Sequence, residues 1–462
     1  MRPITANVFR AYDIRGLVDI DFDAEWAHLL GRACGTFFLQ QGQKTAVVGH
    51  DCRATSPEYA ASLTAGLVAT GVSVIDIGMV PTPLLYYAVK RYGTAAGVMV
   101  TASHNPAEYN GFKIWSGEST IFSEAITALQ YLMEKGVFPS GKGTHETRDI
   151  FPAYLDDVAG RVTLARSMTV VIDGGNGAGG DYCTQLFTRL GATVVPLYCE
   201  PDGSFPNHHP DPVVDANMVD LKRLVVEKKA DCGIGLDGDG DRIGAVDETG
   251  RLMFGDELLA ILARPILARK PGSLILGDVK CSHRLFRDIQ KHGGRSIMCP
   301  TGHSFMKAKL RELGAELGGE MSGHMFFVDD WYGFDDALYS AARLAAIVSA
   351  ASEPLSTLLG YPKSFVTPEL HVPCPDALKA TVIEKARAYF KKRHKTLEID
   401  GVRLLFPDGW GLVRASNTQP VLVLRFEAES EERLTAIRAL VEKPLTTWIA
   451  EAATTAPGRN GA

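Results

Sequence analysis

The 462-residue chain has no C-x-x-C pair among its eight cysteines, no long run of like charge and no apolar stretch of bilayer length. The cysteines, at 34, 52, 183, 199, 232, 281, 299 and 374, are scattered through apolar or strand-like segments. That argues against a disulfide framework or a zinc site and fits the reduced thiols of a cytoplasmic protein. Lys and Arg total 48 against 54 Asp and Glu, a net charge of -6 with no basic stripe, so neither nucleic acid nor an anionic membrane surface is an expected partner. Arg10, Asp13 and Arg15 interrupt the opening residues, and no export signal is expected there. The most apolar helical segment, 337–351, contains Arg343 and is too short to cross a bilayer. What remains is a small partner, and 46% hydrophobic content is enough for three or four cores.

One strand–helix syntax occurs three times. Residues 45–51, 72–77 and 96–100 read as strands, with helices over 57–70 and 84–91 between them; Ser56 stands as an N-cap and Gly71 as the stop. The second copy has strands at 168–173, 192–197 and 232–236 with helices at 182–190 and 218–229. The third has strands at 273–278, 295–298 and 315–317 with helices at 282–291 and 304–313. Alternation of this kind predicts parallel sheets flanked by helices, with ligands at the carboxyl ends of the strands. In each copy the third strand runs straight into a polar loop. From about residue 362 the pattern turns strand-rich (402–406, 411–413, 421–426), closes with a helix over 431–442, and predicts an α+β domain; a tail is expected from 451.

The loop D-G-D-G-D-R (237–242) alternates Asp237, Asp239 and Asp241 with glycines, so that three carboxylates can surround one hard divalent cation, magnesium by preference. An acidic surface turn is the plain alternative. An EF-hand is excluded although Glu248 falls at its twelfth position, because Arg242 occupies the place of its glycine. Arg242 could share a phosphate with the ion. T-A-S-H-N-P (101–106) taken alone is a capped turn: Ser103 and His104, adjacent in an extended segment, would point apart, and no G-x-S-x-G elbow is present. G-E-M-S-G-H (319–324) offers Glu320, Ser322 and His324 to sugar hydroxyls. R-A-S-N-T-Q-P (414–420) sets Arg414, Ser416, Asn417 and Thr418 as a phosphate grip or, equally, a polar hairpin turn.

In this order the four loops resemble the signature loops of the α-D-phosphohexomutases, closest to the bacterial enzymes acting on mannose and glucose phosphates. The resemblance extends to F-R-A-Y-D-I-R-G (9–16), N-G-F-K (110–113), G-D-V-K (277–280) and T-G-H-S (301–304). Pro300 and Gln419 depart from residues frequent in relatives but remove no ligand. The resemblance implies three related α/β/α domains with mixed, mostly parallel sheets and a C-terminal α+β domain around a central cleft. The implied spans are 1–148 for the phosphoserine, 149–251 for the metal, 252–361 for sugar specificity and 362–450 for phosphate, with 451–462 a flexible tail. It further implies transfer of phosphate between O1 and O6 of a hexose through phospho-Ser103, with glucose 1,6-bisphosphate as activator and the bisphosphate as an intermediate that turns around. Magnesium would be held by Asp237, Asp239, Asp241 and the phosphate on Ser103, with Arg242 and Arg15 assisting. Proton transfer would fall to Lys113, His104 or His324. Tyr12, Arg15, Lys280 and His303 resemble ligand contacts, each with an ordinary surface or core-edge role as its alternative. Met321 resembles the enzymes that accept both glucose and mannose phosphates. A monomer is expected. A magnesium-dependent phosphatase would lose phosphate to water and need no second grip, and a non-catalytic sensor would not need the three aspartates.

Overall fold

Apolar runs bounded by glycine and polar turns form the inner strands of four sheets in the computed structural model, which describes residues 2–416 and 420–455. In the first sheet Thr45–His50 lies between Ala96–Val100 and Ser73–Met79, parallel to both, and His145–Thr147 continues the parallel run. The other edge reverses. Tyr109–Ser116 returns antiparallel beside Ala96–Val100, and Ile14–Leu17 pairs antiparallel with it. The second sheet is ordered Leu252–Met253, Ile243–Asp247, Cys232–Leu236, Thr169–Asp173, Thr193–Leu197, its last three strands parallel. The third is ordered Arg295–Cys299, Leu274–Asp278, Leu317–Gly319, Met325–Phe327.

The repeat is therefore real and has a further part that the alternation did not show. In each copy the loop-bearing strand turns back through an antiparallel strand: Ala96–Val100 into Tyr109–Ser116, Cys232–Leu236 into Ile243–Asp247, Leu317–Gly319 into Met325–Phe327. Each polar loop is thus tied at both ends to a buried ladder, which restricts it far more than a strand-to-helix connection would. The fourth sheet is antiparallel, with Val421–Ala428 between Gly409–Ala415 and the short strands Phe365–Val366 and Leu370–Pro373.

Helices Ala24–Gln40 and Ser56–Thr70 cross so closely that a Cβ on Gly66 would lie 2.2 Å from the His28 carbonyl oxygen, and one on Gly31 the same distance from that of Leu63. No side chain fits there, and the sheet is clamped by a crossing of backbones. Ser56 is not the helix cap: it lies in the first turn, and its hydroxyl donates instead to Asp51 Oδ1 at 2.5 Å. The final helix, Glu431–Thr455, passes through Pro444 well beyond residue 442, because Ile437, Val441, Leu445 and Ala452 keep one face in the core. Residues 451–455, expected in the tail, belong to this helix; 456–462 lie outside the described residues. Two compact units result, one of residues 2–276, 285–297 and 302–359, the other of 277–284, 298–301 and the described residues from 360 onward. No described helix is long and apolar enough to cross a membrane.

Candidate active site

Within the larger unit the serine loop is held from outside. Arg53, fully buried, donates from Nη2 to the carbonyl oxygens of Ser103 (2.7 Å) and Asn105 (2.5 Å) and from Nη1 to those of Pro106 (2.6 Å) and Tyr109 (3.0 Å). Asp51 holds the guanidinium through Nε at 3.1 Å. This cage keeps Ser103 at φ +52°, a left-handed conformation that costs a non-glycine residue about 1–2 kcal/mol. The consequence overturns one expectation. Because the segment is not extended, Ser103 Oγ and His104 Nδ1 lie 3.4 Å apart rather than pointing away from each other.

Ser103 donates from Oγ to Asp237 Oδ2 at 2.6 Å, joining the first loop to the second. Gly238 makes the approach feasible, since a Cβ there would lie 2.5 Å from the Ser103 carbonyl oxygen. Asp237 Oδ1 accepts from the backbone of Asp241 (3.0 Å) and Arg242 (3.1 Å), while Asp239 Oδ2 accepts from Thr82 Oγ (2.6 Å) and Lys113 Nζ (2.7 Å). The Lys113 ammonium also bonds Asp241 Oδ2. All three aspartates are fully buried, and one oxygen from each falls within 4.8 Å of the others. Burial, together with Asp239 and Asp241, drives the Asp237 carboxyl well above its usual range. Against the same burial, Lys113 holds Asp239 below it, and Lys113 with His324 holds Asp241 well below it.

The donor set fits a hard divalent cation. Three carboxylates cluster, only Asp239 and Asp241 bond the Lys113 ammonium, and Asp239 Oδ1, buried, has no hydrogen-bond partner among the described residues. Despite burial, Lys113 is held protonated by Asp239 and Asp241.

The third loop adjoins this cluster. Ile243 N donates to the Gly323 carbonyl at 3.1 Å, and His324 bridges the two loops, with Nε2 3.2 Å from Asp241 Oδ1 and Nδ1 3.1 Å from Glu320 Oε2. Burial opposes protonation of this imidazole, but Asp241 and Glu320 prevail and push it up to about 9. Glu320 also accepts from Ser322 Oγ (2.8 Å) and from the backbone of Gly302 (2.8 Å). His303 follows Gly302, buried, its ring stacked near that of His324 (centroids 5.7 Å) and edge-on to Tyr12 (5.1 Å). Arg15 donates to Asp13 Oδ2 (2.7 Å) and Asn105 Oδ1 (2.8 Å) and so braces the serine loop. His104 is held neutral, well below the usual imidazole range, by burial and by the charges of Arg242 and Arg15.

The smaller unit gathers the basic candidates. Lys280 Nζ, buried, donates to Glu369 Oε1 at 2.5 Å, and Arg414 Nε donates to Asp400 Oδ2 at 2.8 Å. Although burial pulls the other way, Lys280 holds Glu369 down to about 2. Ser416 closes the strand end through its backbone to Val421 O at 3.0 Å, and its own carbonyl accepts from Lys379 at 2.5 Å. Asn417 and Thr418 lie outside the described residues. Arg403, stacked 3.7 Å over Trp410, donates to the carbonyl oxygens of Val279 (2.5 Å) and Cys281 (2.8 Å), the two residues flanking Lys280.

Sequence reading missed the supports: Arg53, Thr82, Asp400, Glu369 and Arg403. A polar residue just beyond a strand, as Arg53 is beyond Thr45–His50, is the only local signal any of them carries. Their partners are decided by distant segments.

Models of the phosphoglucomutase/phosphomannomutase family match four consecutive segments: α/β/α domain I over residues 6–138, domain II over 152–250, domain III over 254–365 and the C-terminal domain over 369–443. The chain is 46% identical over 445 residues to a phosphomannomutase/phosphoglucomutase of Pseudomonas aeruginosa, covering 96% of each chain. It is 42% identical to a phosphoglucomutase of Neisseria gonorrhoeae, covering 95% of this chain and 96% of that one. A crystal structure of a phosphoglucomutase/phosphomannomutase family protein from Burkholderia thailandensis superposes with a TM-score of 0.90 at 41% identity, covering 100% of this chain and 99% of that one. The order of the four domains, the three strand-end loops and these full-length relatives agree, and the chain belongs to the phosphoglucomutase/phosphomannomutase family, the α-D-phosphohexomutases.

Proposed function

We propose that the protein interconverts the 1- and 6-phosphates of mannose and of glucose through phospho-Ser103 and a hexose 1,6-bisphosphate that reorients before its second phosphate returns to the serine. The observation that carries the reading is the hydroxyl of Ser103, in a strained loop, donated at 2.6 Å to Asp237 of a buried carboxylate triad. In the first half-reaction the sugar hydroxyl oxygen attacks phosphorus, the bond from phosphorus to Ser103 Oγ breaks, and the hydroxyl proton leaves to a base; the second half-reaction reverses this at the other end of the sugar. Asp237, Asp239, Asp241 and the phosphate on Ser103 would hold magnesium, which when bound would supply Lewis-acid polarisation of the phosphate oxygens.

The remaining roles rest on the chain's own groups. His104, kept neutral beside Ser103 Oγ, is the proton acceptor of the set, whereas Lys113 and His324, kept protonated, are its donors. Arg242 and Arg15 add fixed positive charge beside the serine. Glu320, with Ser322 and Tyr12, accepts and orients the sugar hydroxyls at carbons 3 and 4, which glucose and mannose share, so the epimeric carbon 2 goes unread. Met321 and the names of the relatives, one covering both activities, support this dual specificity. Arg414, Ser416, Asn417 and Thr418, with Lys280, hold the phosphate that is not reacting, and glucose 1,6-bisphosphate serves as activator.

Intact-mass measurement of wild type and Ser103→Ala, paired with assays on glucose 1-phosphate and mannose 1-phosphate, tests the reading. Phosphate should be present only on wild type, the variant should lose turnover by a factor of about 10⁴ or more, and both sugars should be isomerised at comparable rates. Free inorganic phosphate as the main product would establish a phosphatase instead, and phosphate retained on the alanine variant would move the nucleophile elsewhere.

A further inference from the structure

Beside the sugar loop lies a buried trio of which only His303 has been given a part, as an expected ligand contact. Lys307 Nζ is 2.8 Å from Asp335 Oδ1, 3.0 Å from His303 Nδ1 and 4.4 Å from the centre of the Tyr86 ring. A carboxylate, a ring-nitrogen lone pair and an aromatic face are three surroundings that each reward a cation. Burial lowers Lys307 below the usual lysine range and Asp335 opposes it; as an ammonium it has three protons to give and no lone pair with which to accept. A nitrogen bonded to it must therefore present its own lone pair, so Nδ1 of His303 carries no proton. Asp335 Oδ2 also faces Nδ1, but at 3.4 Å against 3.0 Å for Lys307 Nζ, and it meets the geometry of a hydrogen bond with no described residue. A neutral imidazole with an unprotonated Nδ1 has its proton on Nε2.

His303 is only 3% exposed, and its Nε2 makes no hydrogen bond to any described residue. A buried N–H left in this state is a standing cost that a ligand oxygen would relieve. The same residue follows Gly302, which donates to Glu320, and stacks near His324, which is bonded to Glu320, so the orphan proton sits beside the groups assigned to the sugar. We infer that Lys307 is a positioning residue that fixes His303 as the Nε2–H tautomer, so that the ligand contact already expected of His303 is made as a donor, to a hydroxyl or phosphate oxygen of the bound hexose phosphate. Asp335 anchors the lysine. Burial and the neighbouring Lys307 charge keep His303 neutral, pushing it down to about 4, so the donor is the same throughout the neutral pH range. The second clause of the inference rests on the mutase reading; the tautomer does not.

The experiment is ¹⁵N NMR of the full-length protein with labelled histidine side chains, His303 being assigned by the resonance missing from His303→Gln, run alongside steady-state kinetics on glucose 1-phosphate. Wild type should show a protonated Nε2 and an unprotonated Nδ1. In Lys307→Met the fixed tautomer should give way to a mixture, and KM should rise about tenfold with kcat changed much less, as expected when a hydrogen bond that holds the substrate equally in its ground and transition states is weakened. Should that variant fail to fold around an unpaired Asp335, Lys307→Met with Asp335→Asn removes both charges and carries the same expectation, while the wild-type spectrum stands by itself. A wild-type His303 protonated at Nδ1 overturns the inference, as does a Lys307→Met enzyme with an unchanged tautomer and unchanged KM. A wild type that isomerises no hexose phosphate would sink the mutase reading and the ligand clause with it, leaving the tautomer to be decided by the spectrum.

Discussion

In the larger unit Asp239 and Asp241, two of three buried carboxylates, share the Lys113 ammonium while Asp237 accepts from Ser103, whereas in the smaller unit Lys280 meets Glu369 and Arg414 meets Asp400. The first arrangement keeps one buried carboxylate oxygen, Asp239 Oδ1, with no hydrogen-bond partner among the described residues, and gains when a cation enters. The second is balanced at rest, and an incoming phosphate must displace a carboxylate from a base already satisfied, so its net attraction is smaller than the raw charges suggest. On the mutase reading the first would hold the cation and the second a phosphate that must also let go, as a reorienting intermediate requires.

The sharpest way to break this comparison is to neutralise one member of the triad. Asp239→Asn should lower kcat by a factor of about 10³ at saturating magnesium, because the orphan oxygen and the lysine partner are lost together; a change below tenfold would mean that the triad is not the metal site. Arg414→Ala should cost about 2–4 kcal/mol of kcat/KM, expressed mainly in KM. Asp400→Asn should by contrast bind phosphate at least as well as wild type, since it removes the charge of one carboxylate that competes for the arginine, and weaker binding would show that the pair orients rather than restrains.

Metal linkage gives a smaller and more selective effect. Magnesium at a hundred times its dissociation constant should stabilise the larger unit by about 2.7 kcal/mol, read as an upward shift of its calorimetric transition that a chelator reverses, with the smaller unit unmoved. Equal shifts in both would erase the distinction. In metal-free protein the two units should respond to pH with opposite sign. His324, raised from 6.5 to about 9, contributes stability that is fully present below pH 6.5 and lost as pH rises through 9. Glu369, lowered from 4.5 to about 2, contributes stability that is present above pH 4.5 and lost as pH falls through 2. Thermal melts of wild type against His324→Gln and Glu369→Gln across this range would reveal the two slopes, and a single shared slope would refute the assignment.

The strands Ala96–Val100, Cys232–Leu236 and Val402–Phe406 stand where their apolar runs end in the sequence, because a run with polar or glycine punctuation at both ends has few other ways to be buried. The helices Ala24–Gln40, Gly255–Arg269 and Asp376–Lys391 went unread, since their faces are matched to partners distant in the chain and nothing local marks the match. The candidate residues divide in the same way. Asp237, Asp239, Asp241, Ser103, Glu320 and Arg414 stand in loops whose composition betrays a chemistry, while Arg53, Lys307, Asp335 and Asp400 carry no motif.

By itself the sequence determined the three strand–helix repeats, the three strand-end loops and the chemical types they present, all of which depend on short-range pattern and on residue identity. Only the tertiary structure decided which charge each carboxylate meets, that Ser103 adopts a left-handed turn beside His104, and which nitrogen of His303 holds its proton. Those outcomes are set by atoms brought to within about 3 Å of one another from segments far apart in the chain, with water excluded, where an electrostatic interaction is strong enough to choose a protonation state.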